Sequence, residues 1–361
     1  MFQIRHRATV LTVVALAALV LAGCNGSSGG TGSGGKKIAL LLPESQTTRY
    51  EAFDRPLFEA KVKSLCSDCQ IVYKNANGDK GTQQDQFEAA LSQKVDAIVL
   101  DPVDSSSAGL LVDKANQKKI PVVSYDRLIS KAKVDTYISF DNVKVGNLQA
   151  TSLVDKLKQD GTTSGKIVMI NGDKADNNAL LFNKGAHQVL DSSGFTVVPG
   201  EDYWSAWKPD NAQSFMEGQI AQLGVKGFVG VYAANDGTAG GAIAAMRSRG
   251  VNPIPPITGQ DAEIAAIQRI MTGEQYMTVY KQIKPEAETA AQMAVDLANG
   301  RKPKTATTVN NGTEDVPSVL LKPIAVTKDN LKQTIFADKF YTPAQVCTGE
   351  FATACQALGI G

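Results

Sequence analysis

The chain has 361 residues, 43% hydrophobic and 20% charged, with 37 Lys and Arg against 36 Asp and Glu. That composition belongs to a globular protein of about two domains, and its near-neutral charge argues against an electrostatic nucleic-acid binder. Of the two histidines, His6 lies in the apparent leader. His187 alone cannot build a multi-histidine zinc site, and it falls in a helix-like run as an ordinary surface or core histidine.

Residues 1–23 read as a secretory signal: Arg5, His6 and Arg7, then an apolar run over 8–22 broken by Thr9 and Thr12. The run is short of the roughly 20 residues that span a bilayer. Leu21-Ala22-Gly23-Cys24 resembles a bacterial lipobox, which makes Cys24 the expected lipidation site. Residues 24–37 form a Gly/Ser tether reaching about 20 Å. Within it Gly30, Gly32 and Gly35 match G-x-G-x-x-G, but no strand precedes them, so they are no nucleotide loop.

From Lys36 onward, apolar runs alternate with amphipathic stretches. Strands are expected at 38–42, 71–73, 97–100 and 121–124, with helices at 50–65, 82–92 and 105–117. A second series has strands at 136–140, 166–170, 196–198 and 228–232, with helices at 143–158, 177–190, 211–223 and 238–249. Continuous apolar strands between helices mean parallel sheets covered on both faces. The class is α/β, doubly wound. Cys66, Cys69, Cys347 and Cys355 allow three disulfide connectivities. The local pairs 66–69 and 347–355 are expected in an oxidising compartment, against a CxxC redox centre or a four-cysteine zinc site.

The residues just past the strands are acids, amides and one Arg: Glu44, Asp101, Asp126 with Arg127, Asn171, Asn235 with Asp236, and Gln260 with Asp261. Open parallel sheets bind ligands beyond the carboxyl ends of their strands. Such planar groups donate and accept in pairs, which suits the hydroxyls of a neutral polyol. An anion would call for Lys/Arg clusters or a Gly-rich helix start. Tyr50, Trp204 and Trp207 lie outside the strand runs, where flat rings cover the C–H faces of a sugar.

Several segments together resemble the D-xylose-binding branch of the type I periplasmic sugar-binding family of bacterial ABC transporters, from about Lys37 to Phe340. They are SYDRLI at 124–129, YISFDNVKVG at 137–146, DNNA at 176–179, NDGTAGGAI at 235–243, GQDA at 259–262, MTVYK at 277–281 and VNNG at 309–312. The resemblance implies sugar contacts from Arg49, Tyr50, Asp126, Arg127, Asn178, Trp207, Asn235, Asp261 and Lys281. Strand ends alone point to Asp126, Arg127, Asn235 and Asp261; Asn178 and Lys281 rest on resemblance. Tyr50 stands where the xylose type would carry Trp, and Glu44 where its turn is more acidic.

The resemblance further implies two lobes joined by three crossovers. These are expected near 140–143, 259–261 and 304–309. The N-terminal lobe is then 38–140 plus 261–306, the C-terminal lobe 141–260 plus 307–346, and 347–361 a tail. The expected function is capture of a monosaccharide, D-xylose, for an ABC-transporter permease, by a monomeric lipoprotein outside the cytoplasm that meets the membrane through its lipid alone. Glucose, ribose, arabinose or galactose, or a chemosensory role, are the alternatives. No cofactor, metal or nucleic acid is expected. A DNA-binding regulator of this fold would need a helix-turn-helix where this chain has its leader. A glycosidase would need a raised-pKa acid, whereas Arg127 and the amides favour ionised Asp126 and Asp261.

Overall fold

The computed structural model describes residues 35–200 and 204–361. The signal, Cys24 and most of the tether lie outside the described residues. The first series runs β1 (Lys37–Leu42), a π turn (Tyr50–Asp54), α1 (Arg55–Leu65), β2 (Gln70–Asn75), α2 (Lys80–Ser92), β3 (Ala97–Leu100), α3 (Ala108–Gln117), β4 (Val122–Tyr125) and β5 (Thr136–Phe140). The second runs α4 (Asn142–Gln159), β6 (Gly165–Ile170), α5 (Asn177–Leu190), β7 (Phe195–Val197), α6 (Pro209–Leu223), β8 (Gly230–Ala233), α7 (Asp236–Ser248), α8 (Ile264–Thr272) and β9 (Met277–Tyr280). The chain ends with α9 (Ile283–Ala298), β10 (Thr307–Asn310), β11 (Asp315–Leu321), β12 (Ile324–Thr327), α10 (Pro343–Val346) and α11 (Ala352–Ala357).

Two sheets organise these elements into two lobes. The first has strand order β10-β11-β5-β4-β3-β1-β2, parallel except for the β10–β11 pair. β1 and β3 are near-continuous apolar runs because helices cover both faces: Ile38 and Leu40 pack with Ala287 and Ala294 of α9, while Ala39 and Leu41 pack with Phe87 and Val112. The second lobe has the parallel set β7-β6-β8. Isolated bridges Val231↔Ile257 and Gln260↔Val279 carry that sheet on to the antiparallel pair of β9 and β12.

The chain passes between lobes after β5, after β9 and after β11. The first passage lies where expected. The second falls at 281–282 rather than 259–261, and the third at 322–323 rather than 304–309. The expected lobe boundaries are corrected accordingly. Residues 261–280 stay with the second lobe, where Met277 and Val279 share a core with Ile167 and Met169. Residues 283–321 belong to the first lobe, where β11 pairs with β5. The first and third passages run side by side, for Asp141 N donates to Leu321 O at 3.0 Å.

Residues 347–361 pack on α8, burying Cys355 and Ile360 with Ile267, Ile270 and Met271. Disulfides join Cys66 to Cys69 and Cys347 to Cys355. His187 sits 2.9 Å from Asp191 on α5. Among the described residues no helix is long and apolar enough to cross a membrane.

Candidate functional site

The strand ends of the two lobes face each other across a cavity of about 270 Å³. All nine expected contact residues line it: Arg49, Tyr50, Asp126, Arg127, Asn178, Trp207, Asn235, Asp261 and Lys281. They are only 2–6% exposed, so the cleft is shut. Thr47, Asp176, Phe182 and Gln260 complete the wall.

The first lobe supplies a linked group. Arg49 and Tyr50 stand at the start of the π turn, and Asp126 and Arg127 follow β4. The Tyr50 hydroxyl donates to Asp126 Oδ2 at 3.1 Å and accepts from Arg127 Nη2 at 3.4 Å. Arg49 Nη1 lies 3.5 Å from Asp126 Oδ1. Burial opposes the Asp126 charge, but Arg49, Lys281 and Arg127 outweigh it and hold the carboxyl down at about 2. Asp126 is thus a standing acceptor.

The second lobe answers from helix starts. Asp176 caps α5, accepting from Asn178 N at 2.8 Å through Oδ1. Its other oxygen receives Trp207 Nε1 at 3.2 Å and lies 3.1 Å from Arg127 Nε. One carboxylate therefore caps a helix, orients the aromatic wall and reaches the other lobe. Burial nevertheless pushes Asp176 up to about 6, against the pull of Arg127. Asn178 Nδ2 donates to the Asp126 carbonyl at 2.9 Å, another link between lobes, and its Oδ1 accepts from Asn142 at 2.8 Å. Asn235 caps α7 through Oδ1, which leaves its amide nitrogen as a donor. Lys281 pairs with Asp261 at 3.0 Å.

Three of these residues have left-handed backbone: Asp126 (φ 54°), Trp207 (φ 59°) and Asp261 (φ 89°). Such conformations cost on the order of 1–3 kcal/mol each and persist where surrounding structure enforces them. Here they turn a side chain sharply off a strand end into the cavity. Gly172 makes room for the Trp207 ring, since a Cβ there would lie 2.1 Å from it.

The wall carries three cations, Arg49, Arg127 and Lys281, against three carboxylates, Asp126, Asp176 and Asp261. Buried donors and acceptors without a hydrogen bond inside the protein include Arg49 Nη1, Arg127 Nε, Gln260 Oε1 and Asp261 Oδ1. Gln260 Oε1 has no partner in the protein, while Arg49 Nη1, Arg127 Nε and Asp261 Oδ1 are held only by ion pairs, at 3.5, 3.1 and 3.0 Å. Such a mixture is matched by a small neutral molecule that both donates and accepts.

Sequence reasoning left Asp176 and Gln260 out of the contact set, although both lie in segments it singled out; the signal was a polar residue next to a recognised one. Behind the wall stand Asp54 and Glu286 against Arg49, and Asp101 and Glu44 near Arg127 at 3.6 and 3.7 Å. The first two carried no sequence signal as site residues.

Two α/β lobes, three crossovers and a sealed polar cavity between opposed strand ends define a receptor that closes on one small solute. The periplasmic binding protein domain matches residues 38–302, and the chain belongs to that non-enzymatic family. It is 41% identical over 313 residues to the D-xylose-binding periplasmic protein of Escherichia coli, covering 86% of this chain and 92% of that one. A solute-binding protein of Clostridium phytofermentans, solved with bound β-D-glucose, superposes with a TM-score of 0.80 at 28% identity, over 86% of this chain and all of that one. A carbohydrate-binding counterpart from Chloroflexus aurantiacus, in complex with D-glucose, gives 0.79 at 26% identity, over 86% of this chain and 98% of that one.

Proposed function

We propose that the protein is an extracytoplasmic receptor, anchored by a lipid on Cys24, that captures D-xylose between its lobes and delivers it to an ABC-transporter permease. The observation that carries the sugar reading is the cavity wall. Its three cations and three carboxylates balance, and its atoms without a hydrogen bond in the protein are both donors and acceptors. Hydroxyls satisfy both kinds, and Tyr50 and Trp207 offer rings for the C–H faces.

Capture follows from differential affinity. A sugar held by Arg49, Asp126 and Arg127 of one lobe gains further hydrogen bonds from Asn235 and Asp261 only when the other lobe closes. Binding therefore shifts the population toward the closed form, which is the form the permease reads.

The D-xylose-binding relative supports a pentose. Trp207 and Arg49 are fixed by Asp176 and Asp54, and a pentose is favoured if either fills the space that the hydroxymethyl of a hexose would need. A glucose receptor is the second reading, favoured by the two glucose-bound structures and by Tyr50 in place of a larger ring. Titration calorimetry with xylose, glucose, ribose, arabinose and galactose decides. Tight one-to-one xylose binding supports the proposal; glucose binding as tightly defeats the pentose assignment. For the anchor, Cys24→Ser is expected to move the protein from the membrane to the soluble exported fraction and abolish incorporation of labelled fatty acid.

A further inference from the structure

Arg49 turns one nitrogen to the cavity and spends the rest of its guanidinium on acids of the first lobe. Asp54 accepts from Nε at 3.0 Å and from Nη2 at 2.6 Å. Glu286 accepts from the same Nη2 at 2.6 Å. The Tyr125 hydroxyl donates to Asp54 from the far side. Asp54 and Glu286 are 1% and 0% exposed, and neither lines the cavity. Nη1 alone is left without a hydrogen bond in the protein.

We propose that Asp54 and Glu286 are positioning residues for sugar capture, locking Arg49 in one rotamer so that Nη1 meets a sugar hydroxyl. The proposal deepens the monosaccharide reading and rests on it. A long Arg side chain free to rotate would lose that freedom on each binding event; a clamped one has lost it already. Two acids are needed because they come from different elements. Asp54 shares the π turn with Arg49 and fixes the plane of the guanidinium. Glu286 lies in the first turn of α9 and fixes its reach. Residues 281–286 therefore set two of the three cations: Lys281 directly, and Arg49 through Glu286. Asp54, Tyr125 and Glu286 all belong to the first lobe, so the clamp does not depend on closure and the sugar meets a prepared half-site.

The competing account is that the acids only neutralise a buried cation. A double-mutant cycle on the full-length protein, read by titration calorimetry with D-xylose, separates the two. Glu286→Met is expected to weaken binding at least about tenfold. Glu286→Gln keeps an acceptor oxygen for Arg49 Nη2 and is expected to restore affinity to within about threefold. On an Arg49→Met background, Glu286→Met should add less than about twofold, because the nitrogen it positions is gone.

Equal losses on both backgrounds, or no rescue by Gln, overturn the proposal. If Glu286→Met does not fold, Asp54→Ala on the same two backgrounds gives the same cycle through the other acid. If the wild type prefers another monosaccharide, the cycle is read with that sugar: the xylose assignment falls and the clamp is judged independently. If no monosaccharide binds, the clamp has no sugar to serve and falls with the reading beneath it.

Discussion

Arg127 of the first lobe and Asp176 of the second meet at 3.1 Å in the closed cleft, each almost wholly buried. The contact crosses between lobes, so it exists only when they are shut. Breaking a buried pair by removing one partner costs about 3–5 kcal/mol when the other charge is stranded. Arg127 keeps Asp101 and Glu44 nearby, at 3.6 and 3.7 Å, which reduces that cost. Asp176→Ala is therefore expected to weaken sugar binding about 10- to 100-fold. Because the contact forms late, the loss should fall mainly on dissociation, with little change in the association rate. Stopped-flow traces measure both; a loss confined to association would refute the latch.

Asp176 also gives the folded state a pH dependence. Its ordinary value is 3.8, and burial raises it to about 6. A raised group binds its proton more tightly in the folded state, so its contribution is full below about 3.8 and is lost as pH rises through about 6. Asp126 runs the other way. Burial opposes its charge, the Arg49, Lys281 and Arg127 cations lower it to about 2, and its contribution is present above about 3.8 and lost as pH falls through about 2. Glu263, raised to about 7 by burial and by Asp261, extends the upper limit. Thermal stability is expected to be higher at about pH 5 than at about pH 8. Asp176→Asn should flatten the part of the profile between about 4 and 6. A profile that rises toward alkaline pH would sink this account.

Local signals carried much of the fold. Strands 97–100 and 136–140 and the helix 177–190 have the expected limits because each is a continuous apolar run or sits behind a capping Asp. Asp126, Arg127, Asn235 and Asp261 were legible as polar residues at strand ends. Arg49, Asn178 and Lys281 came from resemblance to a family. The passages between lobes were not legible, because they depend on which strands pair: nothing in MTVY at 277–280 announces that its neighbour is β12 rather than a strand of the first sheet. The Arg49–Glu286 contact spans 237 residues and is fixed by how α9 packs. Asp176 was hidden by its position, since a residue before a helix already has a sufficient reason to be Asp.

Gly172 tests the aromatic wall without touching a contact residue. A Cβ there would stand 2.1 Å from the Trp207 ring, and Gly172 O also holds Ala206 N at 2.8 Å, so backbone and ring leave no slack. Gly172→Ala must push the indole off its contact with Asp176. The expected result is sugar affinity reduced at least about tenfold, with overpacking costing about 1–3 kcal/mol of stability. The sugar-induced change in tryptophan fluorescence should shrink with it. Unchanged affinity would mean that Trp207 contributes little to holding the ligand.

The two disulfides should differ in weight. Cys347–Cys355 closes a sequence separation of 8 and Cys66–Cys69 one of 3. Loop-closure entropy assigns them roughly 2.5 and roughly 1.6 kcal/mol. Burial does not separate them: Cys69 and Cys355 are buried, and Cys66 and Cys347 half-buried. The pair Cys347→Ser and Cys355→Ala should lower the melting temperature by several degrees and expose the last 15 residues to protease. Removing Cys66 and Cys69 should lower it less. Neither bond borders the cavity, so sugar affinity well below the melting temperature should stay within about twofold in both variants. A large loss of affinity in the Cys347/Cys355 variant would show instead that the packing of the tail on α8 is transmitted through Ala262 to Asp261 in the cavity wall.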